Sequence, residues 1–482
     1  MSVQTGEFNI EKGPFEPTWE SLRQFQCPEW YRDAKFGIWS HWGPQSVPMY
    51  GDWYARNMYM EGSDQYRYHM RKFGHPSQFG WKDVVPLWKA EKFDPEGLMD
   101  LFVAAGAKFF FAQAAHHDNF HNWNSTYHRW NAVNMGPHQD IVGLWQKAAQ
   151  SHGLPFGLSE HIGATFNWYA HTKGADQSGP FAGVPYDGND PAFEDFYLPN
   201  QGAPDALIDW YTSNPWWHEK WYAFVKDIID QYQPDLLYSD GGVPFGDYGL
   251  NIISHLYNCS AGRHGGANQA VYTQKDRNES VYKVGVLDIE RSQLPEILPH
   301  VWQTDTSVGD WFYNFRDVYK TPQHVVDILV DVVSKNGNLL LTIPQRPDGT
   351  VDDECIYLLK SLEKWMRVNG EGIYGTRPWT VFGEGPSQVV NKVYQEDEVP
   401  WTIEDFRFTQ KAGQVYAFQM KWPEGGKTVI RSLALEQVPA VKAVRVLGYE
   451  GPVRFEQTRR GLAIDLPERK PVEFVPCYVV SF

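Results

Sequence analysis

Residues 94–118 read DPEGLMDLFVAAGAKFFFAQAAHHD, and this stretch decides the fold. Asp94 supplies a capping side chain, and Pro95 is preset for a first helical turn, so a helix is expected up to Gly106. KFFFAQA then runs apolar with no polar alternation, as a strand does when both of its faces are buried in a parallel sheet. The strand stops on His116-His117-Asp118, three reactive side chains in a row.

The same pattern repeats outward in both directions. Candidate strands are FGIWSH (36–41), PFGLSEH (155–161), DLLYSD (235–240), AVYTQ (270–274), VGVLDIE (284–290), VWQTDTS (301–307) and NLLLTIP (338–344), which with 108–114 make eight. Helical patterns intervene: IVGLWQKAAQSHG behind Asp140, HEKWYAFVKDIIDQYQ before Pro234, and TPQHVVDILVDVVSKNG. Alternation of this kind predicts an α/β fold, a TIM-like (β/α)8 barrel with insertions. Stretches 42–90 and 162–215 are too long for ordinary connections. Both follow strand ends, so both are expected to overhang the face that carries the active site in such barrels. After a helix near 352–368 the texture changes to short strands such as FRFTQKAGQVYAFQM, TVIRSLAL and CYVVSF, set between Gly, Pro and charged turns. That predicts a C-terminal β-sandwich. The expected division is a barrel domain over 1–373 and a sandwich domain over 374–482.

The chain has 482 residues with a formal charge of −16, which speaks against nucleic acid or an anionic membrane surface as partner. No apolar run is long enough to span a membrane, and residues 1–20 do not read as a signal peptide. Cys27, Cys259, Cys355 and Cys477 are too widely spaced for a zinc site or a disulfide scaffold and are expected to be free thiols. The 21 Trp, 26 Tyr and 28 Phe exceed what core filling needs. Their concentration after strand ends suits a ligand with C–H faces and hydroxyl edges, such as a sugar.

Expected strand ends carry Ser40-His41, His116-His117-Asp118, Ser159-Glu160-His161, Ser239-Asp240-Gly241 and Asp288-Ile289-Glu290-Arg291. Such a ring of His and carboxyl groups serves either glycoside hydrolysis with two carboxyls or metal-assisted hydrolysis. Asp240 is the best nucleophile candidate, because it closes an apolar strand before Gly-Gly. Adjacent His116 and His117 would point to opposite faces of a regular strand, which disfavours a shared metal. The chain has no HxH or HExxH spacing. No metal or cofactor is therefore expected. A metal-dependent hydrolase, the alternative class, would lose activity in a chelator.

KFGIWSHWGPQSVPMYGDWYARNMY (35–59), AKFFFAQAAHHDNFHNW (107–123), PDLLYSDGG (234–242), SKNGNLLLTIPQRPDGTV (334–351) and GEGIYGTRPW (370–379) together resemble the α-L-fucosidases of glycoside hydrolase family 29. The resemblance implies a retaining exo-glycosidase that removes terminal α-L-fucose from oligosaccharides or glycoconjugates. It implies Asp240 as nucleophile, with Tyr238 where the family has Trp. It matches His41, His116 and His117 to sugar-binding histidines, Asp52 to a position usually held by Glu, and Trp53 to a wall for the fucose methyl. Trp311 is a second aromatic candidate, and Glu160 is expected at the substrate. Many family members carry Trp-Glu near the seventh strand, but here the pair is Trp302-Gln303, and Gln cannot serve as acid/base. Glu290 is the expected acid/base, followed by Glu296 in a helical-looking context, with Asp305 and Glu160 behind. Glu160-His161 departs from the family's tyrosine-rich segment, which leaves open a related sugar such as an α-L-galactoside. Gln303 leaves open a sugar-binding homologue without turnover.

Overall fold

The computed structural model describes residues 8–199, 210–389, 394, 396, 398–423 and 425–482. Eight strands, β1 (Phe36–Ser40), β2 (Phe109–Ala115), β3 (Phe156–Glu160), β4 (Leu236–Ser239), β5 (Val271–Gln274), β6 (Val286–Asp288), β7 (Trp302–Ser307) and β8 (Gly337–Thr342), close in sequence order into a barrel. Every neighbouring pair is parallel, including β1 with β8. The strands fall on the eight expected segments.

The quoted stretch shows why. Asp94 accepts from the Gly97 amide and opens the helix Pro95–Ala104. In β2, Phe110 packs outward on Trp145 and Phe102 of the flanking helices, with ring centroids 4.7 Å and 5.9 Å away. Phe109 and Phe111 turn inward, toward Tyr31 and Trp39. A barrel interior is a packed core, so bulky side chains need small neighbours in the same layer. Gly37 stands beside Phe109 in register, and a Cβ there would lie 2.3 Å from its ring. Helices Ile141–Ser151, Pro215–Tyr232, Asp247–Arg263 and Pro322–Ser334 complete much of the outer ring. Between β5 and β6 there is one turn of helix, Glu279–Tyr282, and between β6 and β7 none. The helix expected around Glu296 is therefore absent; Pro295 and Pro299 interrupt the run, and bends replace it.

Beyond the helix Asp353–Asn369, strands β9 (Arg377–Glu384), β10 (Phe406–Lys411), β11 (Gln414–Gln419), β12 (Lys427–Ile430), β13 (Ala443–Val446), β14 (Phe455–Thr458), β15 (Gly461–Asp465) and β16 (Cys477–Ser481) follow. They form a five-stranded antiparallel sheet, β13-β16-β11-β10-β9, and a three-stranded one, β12-β15-β14. Phe406, Phe408, Ile430, Leu462, Ile464 and Tyr478 fill the core between them. All four cysteines are free; Cys355 and Cys477 are buried, while Cys27 and Cys259 are only partly so.

The barrel meets the sandwich through a buried charge cluster. Asp331, on the helix Pro322–Ser334, takes Lys335 Nζ at 2.7 Å and Arg407 Nε of β10 at 2.6 Å. Removing the shared anion strands two buried cations. Asp331→Ala is expected to cost about 3–5 kcal/mol, read as a lower denaturation midpoint; an unchanged midpoint would contradict the role.

Candidate active site

Strand periodicity selects the groups that reach the cavity at the C-terminal mouth of the barrel. Side chains two apart share a face, so Trp39 and His41, Ser159 and His161, Tyr238 and Asp240, Thr273 and Lys275, and Asp288 and Glu290 each form an inward pair. In β2 the pairing with β3 slips between Gln113 and Ala115. The chain then leaves the regular strand, and both His116 and His117 reach the cavity, their rings 4.3 Å apart. The cavity holds about 410 Å³ and is lined by Trp39, His41, Asp52, Trp53, His116, His117, His161, Trp210, Tyr238, Asp240, Lys275, Glu290, Asp305, Trp311 and Tyr394.

Nine of the expected site residues are in that lining: Asp240, Glu290, His41, Asp52, Trp53, His116, His117, Tyr238 and Trp311. Glu160 is not. It occupies the odd step between Ser159 and His161, so its carboxylate turns outward and accepts from Trp221 Nε1 at 3.0 Å. There burial pushes it up to about 8. Gln303 is also away from the cavity: it is fully buried in the barrel, accepting from Tyr31 Oη and donating to Asp288 at 2.7 Å each. Glu296 is exposed and lies outside the lining. Of the carboxyls weighed for the second catalytic role, Glu290 and Asp305 remain at the cavity.

Lys275 organises the centre, and the expected strand 270–274 stopped one residue short of it. Its ammonium donates to Asp240 Oδ1 at 2.6 Å and to Glu290 Oε2, which it also contacts closely. Two oxygens bonded to one nitrogen lie no further apart than two hydrogen-bond lengths, about 6 Å at most. Asp240 Oδ2 faces His117 Nε2 at 3.3 Å and His161 Nδ1 at 3.4 Å. Tyr238 Oη lies 3.3 Å from Asp240 Oδ1 and 3.2 Å from Asp305 Oδ2. Burial opposes the charge on Asp240, but Lys275, His117 and His161 hold its carboxyl well below the usual range. Glu290 differs. Burial pushes it up to about 6, aided by the charges of Asp305 and Asp240 and resisted by Lys275. Trp311 Nε1 donates to its other oxygen at 3.1 Å.

The remaining walls carry unsatisfied polar groups. His41 Nδ1, His161 Nε2 and Asp52 Oδ1 are buried without a hydrogen-bond partner. Burial, reinforced by neighbouring histidines, keeps His41 and His116 well below the usual imidazole range, and burial brings His161 to about 4. They are neutral imidazoles that can donate to or accept from hydroxyls. Burial beside Asp310 raises Asp52 well above the carboxylate range. Trp53 has φ of 59°. An aromatic residue in the left-handed region is strained, and such strain is typical of sites where a side chain must be aimed. Its ring stacks near Trp210, 6.3 Å between centroids, at the cavity wall.

Tyr394 had no sequence signal, whereas Trp210 lies in the stretch 162–215 expected to overhang the active-site face. Of the insertion aromatics Phe166, Trp168, Tyr169, Trp210, Trp216 and Trp217, only Trp210 reaches the cavity. Phe166, Trp168, Tyr169 and Trp217 are core, and Trp216 is exposed.

Two family models match the chain: "Alpha-L-fucosidase" over residues 2–371 and "Alpha-L-fucosidase C-terminal domain" over residues 395–480. The tissue alpha-L-fucosidase of Rattus norvegicus is 29% identical over 474 residues, covering 95% of this chain and 90% of the rat protein. The plasma alpha-L-fucosidase of Pongo abelii is 30% identical over 482 residues, covering 96% of this chain and 91% of that protein. Among solved structures, the Thermotoga maritima alpha-fucosidase in complex with fucose superposes with a TM-score of 0.75 at 26% identity, covering 97% of this chain and all of that one.

Proposed function

This chain belongs to the α-L-fucosidase family of glycosidases, and from that premise we propose that it removes terminal α-L-fucose from oligosaccharides or glycoconjugates with retention of configuration. The observation that carries the reading is the Lys275 bridge. It keeps one oxygen of Asp240 and one of Glu290 within about 6 Å of each other, which supports the roughly 5–5.5 Å spacing of retaining enzymes over the roughly 6.5–9.5 Å that an inverting pair leaves for water. Their environments also push them apart in acidity, which supports the following division of roles. Asp240, ionised, attacks the anomeric carbon. Glu290, protonated, gives its proton to the leaving oxygen. A covalent fucosyl-Asp240 ester forms as the glycosidic bond breaks. Glu290 then takes a proton from water, the water oxygen bonds to the anomeric carbon, and the ester is released. His41, His116 and Asp52 face the sugar hydroxyls, and Trp53 with Trp311 offers apolar walls.

We place the boundary between catalytic and sandwich domains at Tyr374, supported by the start of β9 at Arg377 and by the gap between the two matched regions. The test of function is a panel of aryl α-L-fucoside, aryl α-L-galactoside and fucosylated oligosaccharide, followed by proton NMR. The α-anomer of fucose should appear first and mutarotate later. If the β-anomer appears first, the double displacement is wrong; if the galactoside is the better substrate, the sugar assignment is.

A further inference from the structure

His41, His116 and His161 each offer a ring nitrogen within 4.8 Å of the others, and all three residues are buried. We propose that this imidazole triad is a binding site for a single Zn²⁺ ion, one that competes with sugar for the cavity. His161 makes the site: without it two imidazoles remain, fewer than the three protein ligands of an open zinc centre.

The rings are placed as metal ligands need. Asp240 Oδ2 lies 3.4 Å from His161 Nδ1, and Gln45 Nε2 lies 2.8 Å from His116 Nδ1. These two rings are thus held from behind through Nδ1. A carboxylate or amide behind the ring fixes orientation and raises ligand basicity in zinc sites. His161 Nε2 has no partner, and neither does His41 Nδ1. His116 Nε2 faces the cavity near Asp52 Oδ1, 3.7 Å away. For His116 to ligate through Nε2, its hydrogen sits on Nδ1 and donates to Gln45, whose amide turns over to accept it. Zinc takes nitrogen at about 2.0–2.1 Å, so the rings draw inward on the ion. Three imidazoles leave a fourth position for water.

A second group, His117, His161 and Asp240, has similar spacing. Its atoms already face one another across hydrogen bonds of 3.3 and 3.4 Å, and Lys275 neutralises its carboxylate. The triad with unpartnered nitrogens is the better acceptor of an ion.

The test is calorimetric titration of Zn²⁺ into chelator-treated full-length protein near neutral pH. One ion per chain is expected. His41→Phe and His161→Phe should each weaken binding at least about tenfold, since even outer partners of a metal ligand are worth that much. His117→Phe should leave it unchanged. Co²⁺ titrated into the unmodified protein should give the intense visible absorption of a four-coordinate site, a measurement that needs no variant to fold. Absence of one-site binding, a weak six-coordinate cobalt spectrum, unchanged affinity in His41→Phe, or loss in His117→Phe would each overturn the proposal. Because binding is read by heat and colour, its failure and that of the proposed hydrolysis are separable.

Discussion

Replacing Asp240 by alanine is expected to lower kcat on an aryl α-L-fucoside by roughly 10⁴–10⁶-fold, the scale seen when a covalent nucleophile is removed. The fold should survive. Lys275 keeps Glu290 as a counter-ion, and the site is cut into the mouth of the barrel rather than into its packed layers. The loss should therefore appear in kcat with little change in the thermal midpoint. Azide makes the result diagnostic. Without the carboxylate, azide can enter from the vacated face and displace an activated leaving group in one step, so the product is the inverted β-L-fucosyl azide. In the unaltered enzyme, 2-fluoro-fucosyl fluoride should label the peptide that contains Asp240, read by mass spectrometry. Label on a different carboxylate, or near-normal turnover in the variant, would remove Asp240 from its role.

Most of the barrel was legible because its strands must be apolar on both faces and its helices on one. A site at strand ends follows from that architecture. What was misplaced within the site turns on the alternation of side chains along each strand. In FGLSEH, an inward His161 forces Glu160 outward, and the sequence already contains that parity. The same rule pairs Tyr238 with Asp240 and Asp288 with Glu290. Continued one residue past Gln274, it yields Lys275, the cation around which the carboxyls are arranged. His116 and His117 show the rule's limit: both face the cavity because β2 loses its regular register at Gln113, and no local residue announces that slip. Tyr394 comes from a loop far along the chain, so only tertiary packing brings it to the cavity. Gln303 was misleading in a different way. It raised the question of a missing acid, whereas it lies buried between Tyr31 and Asp288 and does not face the cavity.

Glu290→Ala should separate the two halves of the reaction. With a good aryl leaving group, the first step needs no proton, so fucosyl-enzyme accumulates and the second step limits the rate. With a natural glycan, both steps need the acid/base, and kcat should fall by about 10²–10⁴-fold. Azide should restore turnover on the aryl substrate, because it needs no base to attack the ester. It attacks from the face the leaving group left, so the product is α-L-fucosyl azide, the opposite anomer from the Asp240→Ala product. The pH profile supplies an independent check. A general acid must be protonated in the free enzyme, and burial sets Glu290 at about 6. The alkaline limb of kcat/KM should therefore fall as pH rises through that region. Asp240 must be ionised, and its partners hold it well below the usual range. The acidic limb should lie correspondingly low. In Glu290→Ala, assayed on the activated substrate, the alkaline limb should vanish while the acidic limb stays. A limb that persists would assign the proton to another group, and Asp305, across Tyr238 at the same cavity, is the carboxyl to test next.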